Sequence, residues 1–139
     1  MKSISKFLQL VFLITTLSLM ACSSPDPDID SAGVLSITAV DAEKKYTREE
    51  AVIIDVREKS EWDEKHIPGA IHIPLAQLSN RIAELDQYKA SSIIMQCHSG
   101  MRSAKGAVIL HSEGFQKVYN MDGGILAWDG AGLVTESAR

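Results

Sequence analysis

The chain has 139 residues, 45% of them hydrophobic and 23% charged, which is room for one compact domain and a short accessory segment but not for a second independent core. Its formal net charge of −4 argues against a nucleic-acid partner. An anionic small substrate then has to be attracted by a local positive site, not by the overall field.

Met1–Cys22 opens with Lys2 and Lys6, continues as an uncharged apolar run from Phe7 to Leu19, and ends in small residues, the tripartite layout of an export signal. The run is too short for a comfortable membrane span. Leu19-Met20-Ala21-Cys22 resembles a bacterial lipobox, in which Cys22 is lipidated and becomes the mature N-terminus. The alternative is ordinary cleavage after Ala21, leaving Cys22 as a free thiol and the protein soluble in the periplasm. Residues 1–21 are therefore expected to be a signal peptide. The expected location is periplasm-facing, with a lipid anchor in the cell-envelope membrane. Removing that segment leaves 12 basic against 18 acidic side chains, a formal charge of −6. With Cys22 consumed by lipid, Cys97 is the remaining thiol of the two cysteines, which excludes dithiol redox chemistry and leaves single-thiol chemistry or an inert buried side chain.

Residues 22–33, rich in Ser, Pro, Asp and Gly, read as a flexible tether, and residues 34–139 as the folded domain. Thr38 followed by Asp41 predicts a capped helix through about Tyr46, and Thr47–Glu50 a turn. Ala51–Val56 is an apolar run broken at its carboxyl end by Asp55, as expected of a strand buried on both faces. Ala70–Ile73 and Ser92–Gln96 read similarly, and Lys117–Asn120 makes a shorter fourth strand. Between them, Leu75, Leu78, Ile82 and Leu85 share one helical face, and Met101–Glu113 predicts a helix ended by Gly114. Such alternation implies an α/β fold, a parallel sheet with helices on both faces and its chemistry at the carboxyl ends of the strands.

Cys97-His98-Ser99-Gly100-Met101-Arg102-Ser103 falls between a buried strand and a helix. Backbone N–H groups there can curl around one point while the helix N-terminus adds positive potential, a setting that ionises a thiol. Gly100 permits the tight turn. The same cradle suits the outer sulfur of a persulfide or an oxyanion, with His98, Ser99, Gly100, Met101, Arg102 and Ser103 as the substrate-binding residues. Arg102 reads equally as a ligand for an anionic donor or as the partner of a framework carboxylate. The bland reading of Cys97 is a small buried side chain at a strand end.

This loop, with Asp55-Val56-Arg57 and Glu61 before it, His66-Ile67-Pro68-Gly69-Ala70 between, and Gly123-Gly124 with Trp128 after it, resembles the rhodanese family over about residues 34–134. Lys65 departs from the family's frequent glycine before the histidine. The resemblance implies a rhodanese-like fold and a sulfurtransferase. Thiolate Cys97 would attack the outer sulfur of thiosulfate or a similar donor, and the persulfide would pass its sulfur to a thiol or cyanide acceptor. Four residues separate Cys97 from Arg102, the shorter sulfurtransferase loop, where the related phosphatases have one more. The alternatives are a non-catalytic binding or sulfur-sensing module and, less favoured, an oxyanion reductase or phosphatase. Asp55, Arg57 and His66 are expected to brace the loops, His72 and His111 to be packed or surface residues, and Gly123-Gly124 to start a helix with Trp128 packed beneath. Four scattered histidines show no zinc spacing, so no metal and no other cofactor is expected.

Overall fold

The computed structural model describes residues 32–138. Five strands form one all-parallel sheet in the order β1-β5-β4-β2-β3, where β1 is Leu35–Ile37, β2 Ala51–Asp55, β3 Ile71–His72, β4 Ser92–Gln96 and β5 Lys117–Met121. In β2 and β4 the pairing sets Ile53 opposite Ile94 and Ile54 opposite Met95. Successive side chains point to opposite faces, so these unbroken apolar runs feed two separate cores. Ile54, Ile93 and Met95 belong to one, Ile53 and Ile94 to the other.

The first core is closed by α3 (Leu75–Arg81), the following 3₁₀ turn (Ile82–Tyr88) and α4 (Met101–Ser112), through Leu78, Leu85, Ala107 and Leu110. The second is closed by α1 (Ala39–Thr47) and α5 (Gly124–Gly130), through Ala39, Ala42, Ile125 and Trp128. The α/β architecture expected from the alternation is thus present, with helices on both faces. A further short helix, α2 (Lys59–Glu64), lies at the carboxyl ends of the strands. Among the described residues no helix is long and apolar enough to cross a membrane.

Local signals explain most boundaries. Thr38 caps α1, its Oγ1 accepting from the Asp41 N–H at 3.2 Å. Gly114, at φ +89°, ends α4 in a Schellman arrangement: its own N–H donates to the His111 carbonyl and the Phe115 N–H to that of Leu110. Three expectations are corrected. A fifth strand, β1, joins the edge beside β5, with Leu35 opposite Tyr119 and Ile37 opposite Met121. The strand expected over Ala70–Ile73 is cut to Ile71–His72: the Ile73 N–H still donates to the Asp55 carbonyl, but the Leu75 N–H donates to the Val56 carbonyl, one residue out of register, as α3 begins. The helical face of Leu75, Leu78, Ile82 and Leu85 is split at Arg81, beyond which tighter three-residue turns keep Leu85 buried beneath the same sheet face.

Candidate active site

β4 ends at Gln96, and the chain turns through Cys97–Gly100 into α4. Gly100 makes the turn at φ +99°, a conformation other residues rarely adopt. Cys97 is buried, and its Sγ accepts the Gly100 N–H at 3.1 Å and lies 3.3 Å from the Ser103 hydroxyl. Burial alone pushes the thiol up. Hydrogen bonds from the Ser103 hydroxyl and from the Ser103, Gly100 and Ser99 amides outweigh it and hold the thiol below its ordinary value. His98, Ser99 and Met101 are exposed at the rim, while Ser103 is fully buried. The loop therefore offers a nucleophile with a donor-lined socket around its sulfur.

Ser103 is held in turn by Asn120, at the carboxyl end of β5. Its hydroxyl lies 2.6 Å from Asn120 Oδ1 and 3.1 Å from the Gly100 carbonyl, so one proton is shared among three acceptors, the sulfur included. Asn120 was not among the residues singled out from the sequence. Its place at a strand's carboxyl end in a parallel sheet is the signal that could have found it.

Arg102 reaches Glu61 on α2. Both terminal nitrogens of its guanidinium donate to the two carboxylate oxygens, each at 2.7 Å, and both side chains are about one-third exposed. The fork is therefore occupied by a carboxylate of the same chain. The Arg102 hydrogen bonds, opposed by burial and helped by the Glu58 N–H, hold Glu61 down to about 2. Glu58 and Glu61 also form the capping box that starts α2, which anchors the acid.

Asp55 and Arg57 form a buried pair at the floor of the site, with Arg57 Nη2 donating to Asp55 Oδ2 at 2.6 Å and Nε to both oxygens at 3.0 Å. Arg57 also donates to the Lys65 carbonyl at 2.7 Å, fastening the end of β2 to the segment after α2. His66 Nδ1 donates to the Trp62 carbonyl at 2.9 Å, and its ring stacks on Trp62 at 3.9 Å. His72 stacks on the same indole and donates from Nε2 to the Arg57 carbonyl at 2.9 Å. Neither histidine points at Cys97 through any of these bonds. Lys65 sits in extended backbone at φ −162°, where no glycine is needed, and its ammonium pairs with Asp129 on α5.

The back of the loop is clasped by α5. The Ile125 N–H donates to the Cys97 carbonyl at 2.8 Å and the Leu126 N–H to that of His98 at 3.3 Å. Gly124 makes this approach possible, since a Cβ there would lie 2.3 Å from the Cys97 oxygen. Outside the loop an open cleft of about 230 Å³ runs past His98 between Glu61, Glu64 and Lys65 on one side and Leu126 and Asp129 on the other.

Comparison with known proteins agrees with this geometry. Residues 38–131 match the family described as Rhodanese-like domain. The chain is 41% identical over 93 residues to a Bacillus subtilis protein named putative sulfurtransferase YtwF, covering 67% of this chain and 87% of that one. It is 37% identical over 86 residues to the thiosulfate sulfurtransferase GlpE of Pseudoalteromonas translucida, covering 60% and 78%. A putative sulfur carrier protein of Bacillus subtilis, YrkF, is 44% identical over 78 residues, of which this chain spans 41% of the length, and it spans 31% of a Cronobacter sakazakii tRNA uridine(34) hydroxylase. Among solved structures, a rhodanese-related protein from Thermoplasma volcanium superposes with a TM-score of 0.66 at 28% identity, over 73% of this chain and 96% of that one. The strand order, the cysteine loop and these likenesses agree, and the chain belongs to the Rhodanese-like domain family.

Proposed function

We propose that the protein is a sulfurtransferase that carries sulfane sulfur as a persulfide on Cys97, taking it from thiosulfate or a similar donor and delivering it to a thiol or cyanide. The observation that carries this reading is the socket around Sγ, in which amide and hydroxyl donors favour the thiolate. In the loading step the Cys97 thiolate attacks the outer sulfur of the donor. A new S–S bond forms, the donor's S–S bond breaks, and the electron pair leaves on sulfite. In the second step the acceptor attacks the outer sulfur and Cys97 leaves as thiolate, so neither step needs an external oxidant or reductant. Cys97 is the sole cysteine among the described residues, which disfavours mechanisms requiring a resolving thiol, and the short loop disfavours phosphoryl transfer.

Cys22 lies outside the described residues. The lipobox-like sequence supports a lipid anchor there and a periplasm-facing domain, and Cys22→Ser is expected to release the protein from the membrane fraction. If the unsubstituted protein already fractionates as soluble, simple secretion replaces the anchor.

Intact-mass measurement after incubation with thiosulfate tests the chemistry. A gain of one sulfur atom that vanishes in Cys97→Ser is expected. No gain with thiosulfate or with any persulfide donor would leave a binding or sensing module as the better reading.

A further inference from the structure

The cleft that runs past His98 is lined by two cations, each already matched: Arg57 is paired with Asp55 and Lys65 with Asp129. Glu61, on the same wall, occupies the fork of Arg102. Glu64 adds a further acid to the wall, and Cys97, next to His98 in the chain, reacts as a thiolate and adds another negative charge. A dianionic donor entering here meets surplus negative charge, and to gain the Arg102 fork it has to displace a carboxylate that binds through two 2.7 Å hydrogen bonds. A donor with at most one negative charge, whose sulfane sulfur is carried on an organic thiol, meets a smaller penalty.

We propose that Glu61 is a specificity-determining residue: by occupying the Arg102 fork it turns the Cys97 site away from small dianions and toward organic persulfides as sulfur donors. This assignment rests on the sulfurtransferase reading above. The favoured loading step is attack of the Cys97 thiolate on the outer sulfur of R–S–SH. The Sγ–S bond forms, the donor's S–S bond breaks, and the electron pair leaves as RS⁻, with the outer sulfur's proton retained on the new persulfide. Thiolate is consumed and thiolate is released, so charge and electrons balance. Glu61 touches neither reacting sulfur and acts through Arg102.

The test compares loading of Cys97 from thiosulfate and from 2-hydroxyethyl persulfide, followed as the rate of the one-sulfur mass gain against donor concentration. In the unsubstituted protein the organic persulfide is expected to have the higher kcat/KM. Glu61→Gln, which removes the charge and keeps an oxygen for the Glu58 N–H, is expected to shift the ratio toward thiosulfate by about tenfold, chiefly through KM. Glu61→Asp, with its charge kept but retracted by one methylene, is expected to fall between. Adding Arg102→Gln to Glu61→Gln is expected to erase the gain, because the gain depends on the freed fork. A ratio unchanged or shifted the other way in a folded Glu61→Gln protein overturns the assignment, as does a gain that survives loss of Arg102. If neither donor loads the unsubstituted protein, the sulfurtransferase reading falls and this one with it. Loading with unaltered selectivity removes only the role of Glu61.

Discussion

Replacing Ser103 by alanine removes one named donor to the sulfur and leaves the N–H groups in place. A hydrogen bond to a charged group contributes about 1.5–3 kcal/mol. The lower end applies here, because the Ser103 hydroxyl stands 3.3 Å from Sγ and also faces Asn120 Oδ1 and the Gly100 carbonyl. At about 1.4 kcal/mol per pKa unit, the thiol is expected to titrate about one unit higher. Below both midpoints the thiolate fraction then falls about tenfold. A more basic thiolate is more nucleophilic, with a Brønsted slope of about 0.4–0.5, so the net alkylation rate falls about threefold. Iodoacetamide alkylation followed from pH 4 to 10 on the two proteins measures both quantities. Ser103→Thr, which retains the hydroxyl, is expected to keep the original midpoint. A folded Ser103→Ala protein whose midpoint moves by less than ~0.3 unit, or moves down, would refute the claim that this hydroxyl stabilises the thiolate.

Three further outcomes are expected. Asp55→Asn strands the buried Arg57 guanidinium beside a neutral amide, and a loss of about 3–5 kcal/mol in chemical unfolding is expected; a loss under ~1 kcal/mol would mean that the pair is hydrated and not structural. Gly124→Ala combines a positive φ of 54° with a Cβ 2.3 Å from the Cys97 carbonyl, so it is expected to lower stability by about 2 kcal/mol or more, and an unchanged melting temperature would contradict so close an approach of α5. Glu61 is held at about 2 against an ordinary 4.5, so its pairing stabilises the fold fully above that ordinary value and loses its contribution as the pH falls from about 4.5 to 2. The stability gap between the unsubstituted protein and Glu61→Gln, about 1 kcal/mol for a pair one-third exposed, is therefore expected in full at pH 6, shrinking below pH 4.5 and lost as the pH falls through about 2; a gap that widens in acid would reverse the sign of the coupling.

The elements legible in the sequence are those whose burial leaves a pattern. Ile53 and Ile54 face opposite cores, and Ile93, Ile94 and Met95 do likewise, so each strand reads as an unbroken apolar run; Gly114 and Thr38 mark helix ends through local hydrogen bonds. β1 was not legible because Leu35-Ser36-Ile37 is short, lies at a sheet edge and acquires strand geometry only by pairing with β5. α2 has no buried residue and hence no apolar period; the reciprocal bonding of Glu58 and Glu61 starts it instead. The nucleophile loop is contiguous and could be read directly. The contacts that tune it are not contiguous: Asn120 meets Ser103 across 17 residues and Glu61 meets Arg102 across 41. Such partners are set by the strand order, which a single sequence does not display.

The clasp on the back of the cysteine loop bears on how the protein can report its own state. With the Cys97 carbonyl tied to the Ile125 and Gln96 donors and the His98 carbonyl tied to Leu126, the backbone at Cys97 and His98 is held from behind, which resists displacement when a sulfur is added to Sγ. Loaded and empty forms are therefore expected to differ little in backbone. A partner that distinguishes them has to read the extra atom itself, by touch at the mouth of the socket, so information about sulfur status leaves this domain as chemistry and not as a change of shape.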